Sequence, residues 1–187
     1  MRVLVAGMGS AIGTNVALRL VRDEALEAIA PGHYRYIAPD WCGHGASQAT
    51  HDSYWFPRYL LDLERLIENL VGRDTPVILV AHSMGGQVAS LYAGTRPTRV
   101  SNLVTLDSLN VPDSDTREVP SRYRRWLDAH ATPPSAKVYD DIETAASRIA
   151  ARYPELDEST TRRLAEQWTA AIDPQGRRRI RVDPWHR

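Results

Sequence analysis

The residues best suited to chemistry lie together in Val77-Ile78-Leu79-Val80-Ala81-His82-Ser83-Met84-Gly85-Gly86-Gln87-Val88, where an apolar strand runs into a serine among small residues and then into a helical pattern. A serine at a sharp strand-to-helix turn is held in strained backbone geometry, so the positions two before and two or three after it must be small for strand and helix to approach. Ala81, Gly85 and Gly86 meet that demand. Such a turn lifts the Ser83 hydroxyl above the sheet as a nucleophile. The free N–H groups at the start of the next helix let the Met84 amide stabilise a developing oxyanion. The simpler alternative is an ordinary turn in which Ser83 caps the helix.

Serine is a weak nucleophile at neutral pH and needs a base, normally a histidine oriented by a carboxylate. Asp107 stands at the end of the apolar run Leu103 to Leu106, where capping of the strand-end loop is its ordinary role. The histidines are less well placed. His82 adjoins the nucleophile and should point away from a pocket, and His44 lies in a Gly-His-Gly loop that suits structural hydrogen bonding. His130 and His186 fall in or after a helical C-terminal segment; His186 follows both Ser83 and Asp107 in the chain but has no strand to position it. Cys42 has neither an elbow nor an adjacent base and reads as a loop residue.

A site of this kind needs a sheet to carry it. Short runs rich in Val, Ile and Leu at Val3 to Ala6, Tyr34 to Ala38, Val77 to Ala81 and Leu103 to Leu106 alternate with helical periods, the pattern of a mostly parallel α/β sheet with crossover helices on both faces. The fold class is α/β, a three-layer doubly wound sheet of about four strands. Val16, Leu20 and Ile29 mark one helix; Phe56, Tyr59, Leu60, Leu63, Leu66, Ile67 and Leu70 mark another, closed by Gly72. In the strand order second, first, third, fourth, the loop after the first strand falls beside the elbow, at a topological switch point. That loop is Gly7-Met8-Gly9-Ser10.

After Asn110 the chain is interrupted by Pro112, Pro120, Pro133 and Pro134, and no further apolar strand is evident. Residues 1–112 therefore read as the α/β core and 113–187 as a helical, cap-like segment. Its helices would run through Ile142, Ala146, Ile149 and Tyr153 behind Asp140, and through Leu164, Trp168 and Ile172 behind Ser159. The basic tail from Arg177 to Arg187 reads as a solvated surface segment. Trp126, Trp168 and Trp185 suit either the lining of an apolar pocket or a small helical core.

Composition limits the partners. In 187 residues, 23 Lys+Arg balance 23 Asp+Glu, which gives no overall pull toward nucleic acid or anionic lipid. No apolar run approaches the ~20 residues of a membrane span, and Met1-Arg2-Val3-Leu4 is too short for a signal peptide. The expectation is a cytoplasmic protein with a small-molecule substrate, no nucleic-acid or membrane partner, no metal, and a homo-oligomer formed through open sheet edges.

The motif Ala81-His82-Ser83-Met84-Gly85-Gly86, together with Ala38-Pro39-Asp40-Trp41-Cys42-Gly43-His44-Gly45-Ala46-Ser47 some 40 residues earlier, resembles the α/β-hydrolase fold family, where the two motifs occur in this order. The likeness covers about Tyr34 to Arg187. It implies a Ser-His-acid hydrolase of esters, amides or related carbonyl compounds with no organic cofactor, and a C-terminal segment acting as cap or lid. Where the family has His-Gly in its first loop, this chain has Ala6-Gly7; the resemblance implies the Met8 N–H as the second oxyanion donor and Asp107, placed where some members have it, as the acid. In the family the histidine follows the last strand of a longer sheet, so the chain reads as a shortened member, acting through an acyl-enzyme on Ser83 with an apolar or aromatic ester.

Two other readings stand beside this one. Met1 to Asp23, with Gly7, Ser10 and Gly13 between a strand and a helix, also resembles the nucleotide-binding start of extended short-chain dehydrogenases, with Asp40 as the ribose carboxylate. Those enzymes use a Tyr-x-x-x-Lys pair, whereas Pro133 precedes Lys137, the only lysine, at that spacing. A chimera with an NAD(P)-binding turn is one alternative; a catalytically silent binding or assembly module is the other.

Overall fold

The structure, a computed structural model, describes residues 2–8, 34–50, 54–108, 115–132 and 134–186, the first of these as a backbone strand. Four strands form the parallel sheet: β1 (Arg2–Met8), β2 (Tyr34–Ile37), β3 (Val77–His82) and β4 (Val100–Leu106). Their order is β2-β1-β3-β4, as the sequence predicts, with every adjacent pair parallel. β2 stops before Pro39, which has no N–H to donate. β4 begins at Val100, three residues earlier than its apolar run suggests, because Ser101 and Asn102 are exposed strand residues and carry no hydrophobic signal.

Among the described residues, two helices lie against this sheet. In α1 (Phe56–Leu70), Tyr59, Leu63 and Ile67 recur every four residues and form its buried stripe. Gly72 follows with φ +93 and donates to the Ile67 and Glu68 carbonyls, a left-handed close that an L side chain would strain. In α2 (Met84–Thr95), the buried residues are Gly85, Gly86, Val88, Ala89 and Tyr92. Together with Trp41, Val77 and Leu79 these two stripes make the main core. The opposite face carries the partly buried Tyr36, Ile78 and Val80. The helix expected through Val16, Leu20 and Ile29 lies outside the described residues.

Glu64 ties α1 to α2. It accepts from the Tyr92 hydroxyl at 2.6 Å and from Arg96 Nε at 3.0 Å. Burial, reinforced by this carboxylate, pushes the Tyr92 phenol up to about 12, so it stays a donor at any physiological pH.

The C-terminal segment differs from its sequence reading in three respects. First, Val119–His130 forms a helix, α3, that the proline spacing concealed. Pro120 sits in its first turn, where the missing N–H costs nothing. Second, α4 (Ile142–Arg152) and α5 (Glu158–Trp168) are capped by Asp141 and Asp157, not by Asp140 and Ser159. Each carboxylate accepts at 2.7 Å from the N–H of the residue three positions on, the usual geometry of a helix N-cap. Ile172 lies beyond α5. Third, strands exist here: β5 (Val138–Tyr139), β6 (Thr169–Ala171) and β7 (Arg178–Ile180) form an antiparallel sheet of order β5-β7-β6. Strands of two or three residues are too short to show a period. Ala145, Ile149 and Ala165 form a second small core, against which Trp168 packs.

The tail is therefore not a solvated appendage. Arg178 donates to the Thr169 hydroxyl at 2.7 Å and Arg181 Nε to the Thr169 carbonyl at 2.9 Å. Beyond β7 the chain crosses the Gly43-His44-Gly45 loop. Gly45 N–H donates to the Arg181 carbonyl, Asp183 N–H donates to the Gly43 carbonyl, both at 2.8 Å, and His44 bridges Val182. No described helix is long and apolar enough to cross a membrane.

Candidate active site

The bend after β3 has the geometry a nucleophile needs. Ser83 adopts φ 52, ψ −126, a region that costs a non-glycine residue of order 1–3 kcal/mol and persists only when its surroundings enforce it. Those surroundings are visible. Ser83 N–H donates to the Leu106 carbonyl at 3.0 Å, while its own carbonyl accepts from Gly86 and Gln87 at 2.9 and 3.3 Å. The side chain makes no capping hydrogen bond to α2, so the residue does not act as an ordinary capping serine.

The small neighbours are required. Ala81 is 1% exposed, and a methyl group on Gly86 would overlap Ser108 Cβ and Oγ. Met84 opens α2, where the first N–H groups have no intrahelical acceptor. Met8 is the last residue of β1 and pairs with Ala81, after a register shift between Ala6 and Met8. Because β1 and β3 are adjacent and parallel, the β1 loop starts at the same end of the sheet as the elbow. The rest of that loop, Gly9 and Ser10, lies outside the described residues.

On the other side, His82 pairs with Leu106, which sets Asp107 beside Ser83 one strand over. Among the described residues, Asp107 is the other non-glycine residue with positive φ, at 50, and its side chain is exposed. Ser108 behind it is buried and donates to the Leu106 carbonyl at 2.8 Å. The Leu106 oxygen thus receives both the Ser83 amide and the Ser108 hydroxyl.

Three of the described histidines make contacts elsewhere. His44, 4% exposed, meets the Cys42 carbonyl through Nδ1 at 3.2 Å, the structural role expected of it. His186 packs against His44 at 4.4 Å between ring centroids, and against Tyr54 and Tyr59 at 5.2 and 6.0 Å. Burial holds both imidazoles below the ordinary histidine value, and His44 depresses His186 further. His130 Nδ1 faces the Trp126 carbonyl at 2.7 Å, and its ring stacks on Trp185. His82 has a buried, unpartnered Nδ1. Among the described residues, no imidazole hydrogen-bonds the Ser83 hydroxyl; His33 and His51 lie outside them.

The carboxylate that the dinucleotide reading needs is committed to its own loop. Asp40 Oδ2 accepts from Ala46 N–H at 2.9 Å, under Gly45 at φ +56, where a Cβ would run into the carboxylate. The glycine turn of that reading, from Gly9 on, lies outside the described residues. Cys42 donates to the Gln48 carbonyl at 3.1 Å, and burial pushes its thiol up, which makes it a poorer nucleophile.

Sequence reasoning missed the cluster formed where the tail meets the Gly-His-Gly loop. Tyr54 donates to Asp183 Oδ2 at 2.6 Å, and its ring covers Gly43, whose φ of +76 leaves no room for a side chain. No spacing rule links positions 129 residues apart.

Comparison with known proteins places these features in context. A family model described as alpha/beta hydrolase fold matches residues 8–171, and so begins earlier than the Tyr34 at which the motif likeness starts. A serine hydrolase-like protein of Danio rerio is 28% identical over 156 residues, which is 79% of this chain and 47% of the relative. Lipase LipV of Mycobacterium tuberculosis is 31% identical over 145 residues, 75% of this chain and 49% of the relative. Among solved structures, the thioesterase domain from the curacin biosynthetic pathway superposes with a TM-score of 0.74 at 27% identity, covering 98% of this chain and 62% of the domain. The chain thus spans about half the length of these curated relatives.

Proposed function

The chain belongs to the α/β hydrolase fold family, and on that premise we propose that it is a serine hydrolase whose nucleophile is Ser83 and whose substrate is a small apolar or aromatic carboxylic ester. The observation that carries this reading is the positive φ of Ser83, a strained serine between a parallel strand and a helix N-terminus. In the reaction, Ser83 Oγ bonds to the ester carbonyl carbon as its proton passes to a base. The tetrahedral oxyanion faces the amides of Met84 and Met8. The alcohol departs with a proton, and water then releases the acid from the acyl-enzyme. Loss of one oxyanion donor typically costs about 3–4 kcal/mol of transition-state stabilisation, which makes the β1 loop part of the machinery. Asp107, one strand from the elbow, is the acid in this scheme, and residues 113–187 act as the cap. The base lies outside the described residues.

A fluorophosphonate probe tests the proposal, because it reacts only with an activated serine. The expected result is labelling of Ser83, lost in Ser83→Ala, together with turnover of p-nitrophenyl butyrate. One observation favours a second reading, that of a silent binding module: no described imidazole reaches the Ser83 hydroxyl. A folded protein that neither labels nor turns over ester would establish that reading. Without a triad member only ~10³ to 10⁴-fold acceleration over water would remain.

A further inference from the structure

Residues 181–186 run as a strap over the Gly43-His44-Gly45 loop and are fastened to it on both sides of His44. Gly45 N–H donates to the Arg181 carbonyl and Asp183 N–H to the Gly43 carbonyl, both at 2.8 Å, while His44 itself bridges Val182. Tyr54, just before α1, adds a side-chain bond to Asp183 Oδ2 at 2.6 Å. Among these fastenings lie two imidazoles, His44 from the loop and His186 from the strap, with ring centroids 4.4 Å apart in edge-on contact. Tyr54 and Tyr59 pack against His186 at 5.2 and 6.0 Å.

Rings in this contact accept a proton poorly. A charge on either would be stripped of water, and charges on both would face each other directly. The titratable and charged groups around the pair, among the described residues, are Asp40 and Cys42 in the loop, Asp183 in the strap, Tyr54, and Tyr59 in α1. The Cys42 carbonyl and the carboxylates of Asp40 and Asp183 favour a protonated ring. Both carboxylates are already engaged: Asp40 accepts from Ala46 N–H at 2.9 Å, and Asp183 accepts from the Tyr54 hydroxyl and from Trp185 N–H at 2.6 and 2.9 Å. Burial therefore prevails at both rings. Once the strap lifts, the same imidazoles meet water and bind protons as ordinary histidines do, near pH ~6.5.

We propose that the strap is an acid-released clasp: in mildly acidic solution, protons taken up by His44 and His186 in the open form hold residues 181–186 off the Gly-His-Gly loop while the sheet and its helices stay folded. The strap can lift alone because its fastenings to the loop are local and none of its residues belongs to the main core, which joins Trp41, Val77 and Leu79 to the buried stripes of α1 and α2. Since β2 and β3 run parallel, the loop after β2 leaves the sheet at the end that carries Ser83, so release frees a loop on that rim. The clasp works whether or not Ser83 is a nucleophile.

Native-state hydrogen exchange on the 187-residue chain tests this. The Gly45 and Asp183 amides report the clasp, and the Ser83 amide, bonded to the Leu106 carbonyl, reports the sheet. Each imidazole that is neutral when closed raises the open population up to about tenfold per pH unit below ~6.5. After correction for intrinsic rates, Gly45 and Asp183 should be less protected than Ser83 at both about pH 7.5 and about pH 5.5, and their protection should fall by roughly 10- to 100-fold between the two. His186→Phe keeps a ring in the contact but removes one titrating group, and should shrink that fall by up to about tenfold. Strap amides as protected as Ser83 at both pH values would mean that the clasp opens only with the whole fold. That result, protection that does not fall with pH, or a fall that folded His186→Phe leaves unchanged would each overturn the proposal; should that variant not fold, the wild-type comparison with Ser83 still decides.

Discussion

Gly86→Ala probes the elbow through a single methyl group. The added carbon would overlap Ser108 Cβ and Oγ while standing 3.5 Å from the Ala81 carbonyl, so the strand side has room and the Ser108 side has none. Ser108 is 9% exposed and cannot swing freely, and moving it breaks the 2.8 Å bond to the Leu106 carbonyl. Overpacking of this kind costs roughly 1–3 kcal/mol and the lost hydrogen bond about 1 kcal/mol, so the variant should be destabilised by about 2–4 kcal/mol. For a chain of this size that lowers the melting temperature by roughly 5–15 °C. Ser108→Gly removes both overlapping atoms and should restore most of the loss in the double variant, with a coupling of at least ~1 kcal/mol in a double-mutant cycle. Denaturant melts of the four proteins measure it. Strictly additive single effects would mean that Gly86 is not held against Ser108, and the account of how the elbow is enforced would fail.

Further outcomes follow from the same geometry. Ser83→Gly should raise stability by about 1 kcal/mol, because glycine adopts φ 52 without strain, whereas Ser83→Ala should not; equal melting temperatures for the two would count against a strained elbow. Stability should fall as pH drops below about 6.5, because the unfolded chain takes up protons on His44 and His186 while burial keeps the native imidazoles neutral, at up to ~1.4 kcal/mol per pH unit for each group. Asp40 and Asp183 oppose this partly by favouring the protonated rings. His186→Phe keeps a ring against His44 and Tyr54 and should flatten the acid limb of a stability-against-pH curve; an unchanged slope would show that the contact does not govern it.

The sheet and the elbow were legible because both follow from local rules. Apolar runs bounded by Gly, Pro and Asp fixed four strands, and right-handed crossovers left few strand orders to choose among. The demand for small residues around Ser83 singled out Ala81, Gly85 and Gly86 before any coordinates, and a Cβ at Gly86 would meet Ser108 as that demand implies. The C-terminal segment was harder. Pro120 signals a break in most contexts and is neutral only in a first helical turn, where it stands. Asp140 and Asp141 are equivalent caps by type, and only the backbone of Asp141 allows its carboxylate to reach Thr144 N–H. The contacts of the tail with Gly43, His44 and Tyr54 depend on pairings across more than a hundred residues, about which neither spacing nor propensity speaks.

The most compact part of the site is a single oxygen. The Leu106 carbonyl ends β4 and receives both the Ser83 amide and the Ser108 hydroxyl, so one acceptor binds Ser83 and closes the turn around Asp107, the two described non-glycine residues with positive φ. Neither can relax toward a common backbone conformation without releasing a hydrogen bond that also steadies the other. The turn carrying the proposed nucleophile and the turn carrying the proposed acid thus behave as one mechanical unit, built within β3, β4 and the first turn of α2. A base need not belong to that unit to act on it; it needs only to approach the hydroxyl, which spends no hydrogen bond on capping α2. Preorganisation of the electrophile site and supply of the base are therefore separable. A variant that loosens the Leu106 junction should weaken both probe labelling and ester turnover, whereas loss of the base should leave the elbow's contribution to stability intact.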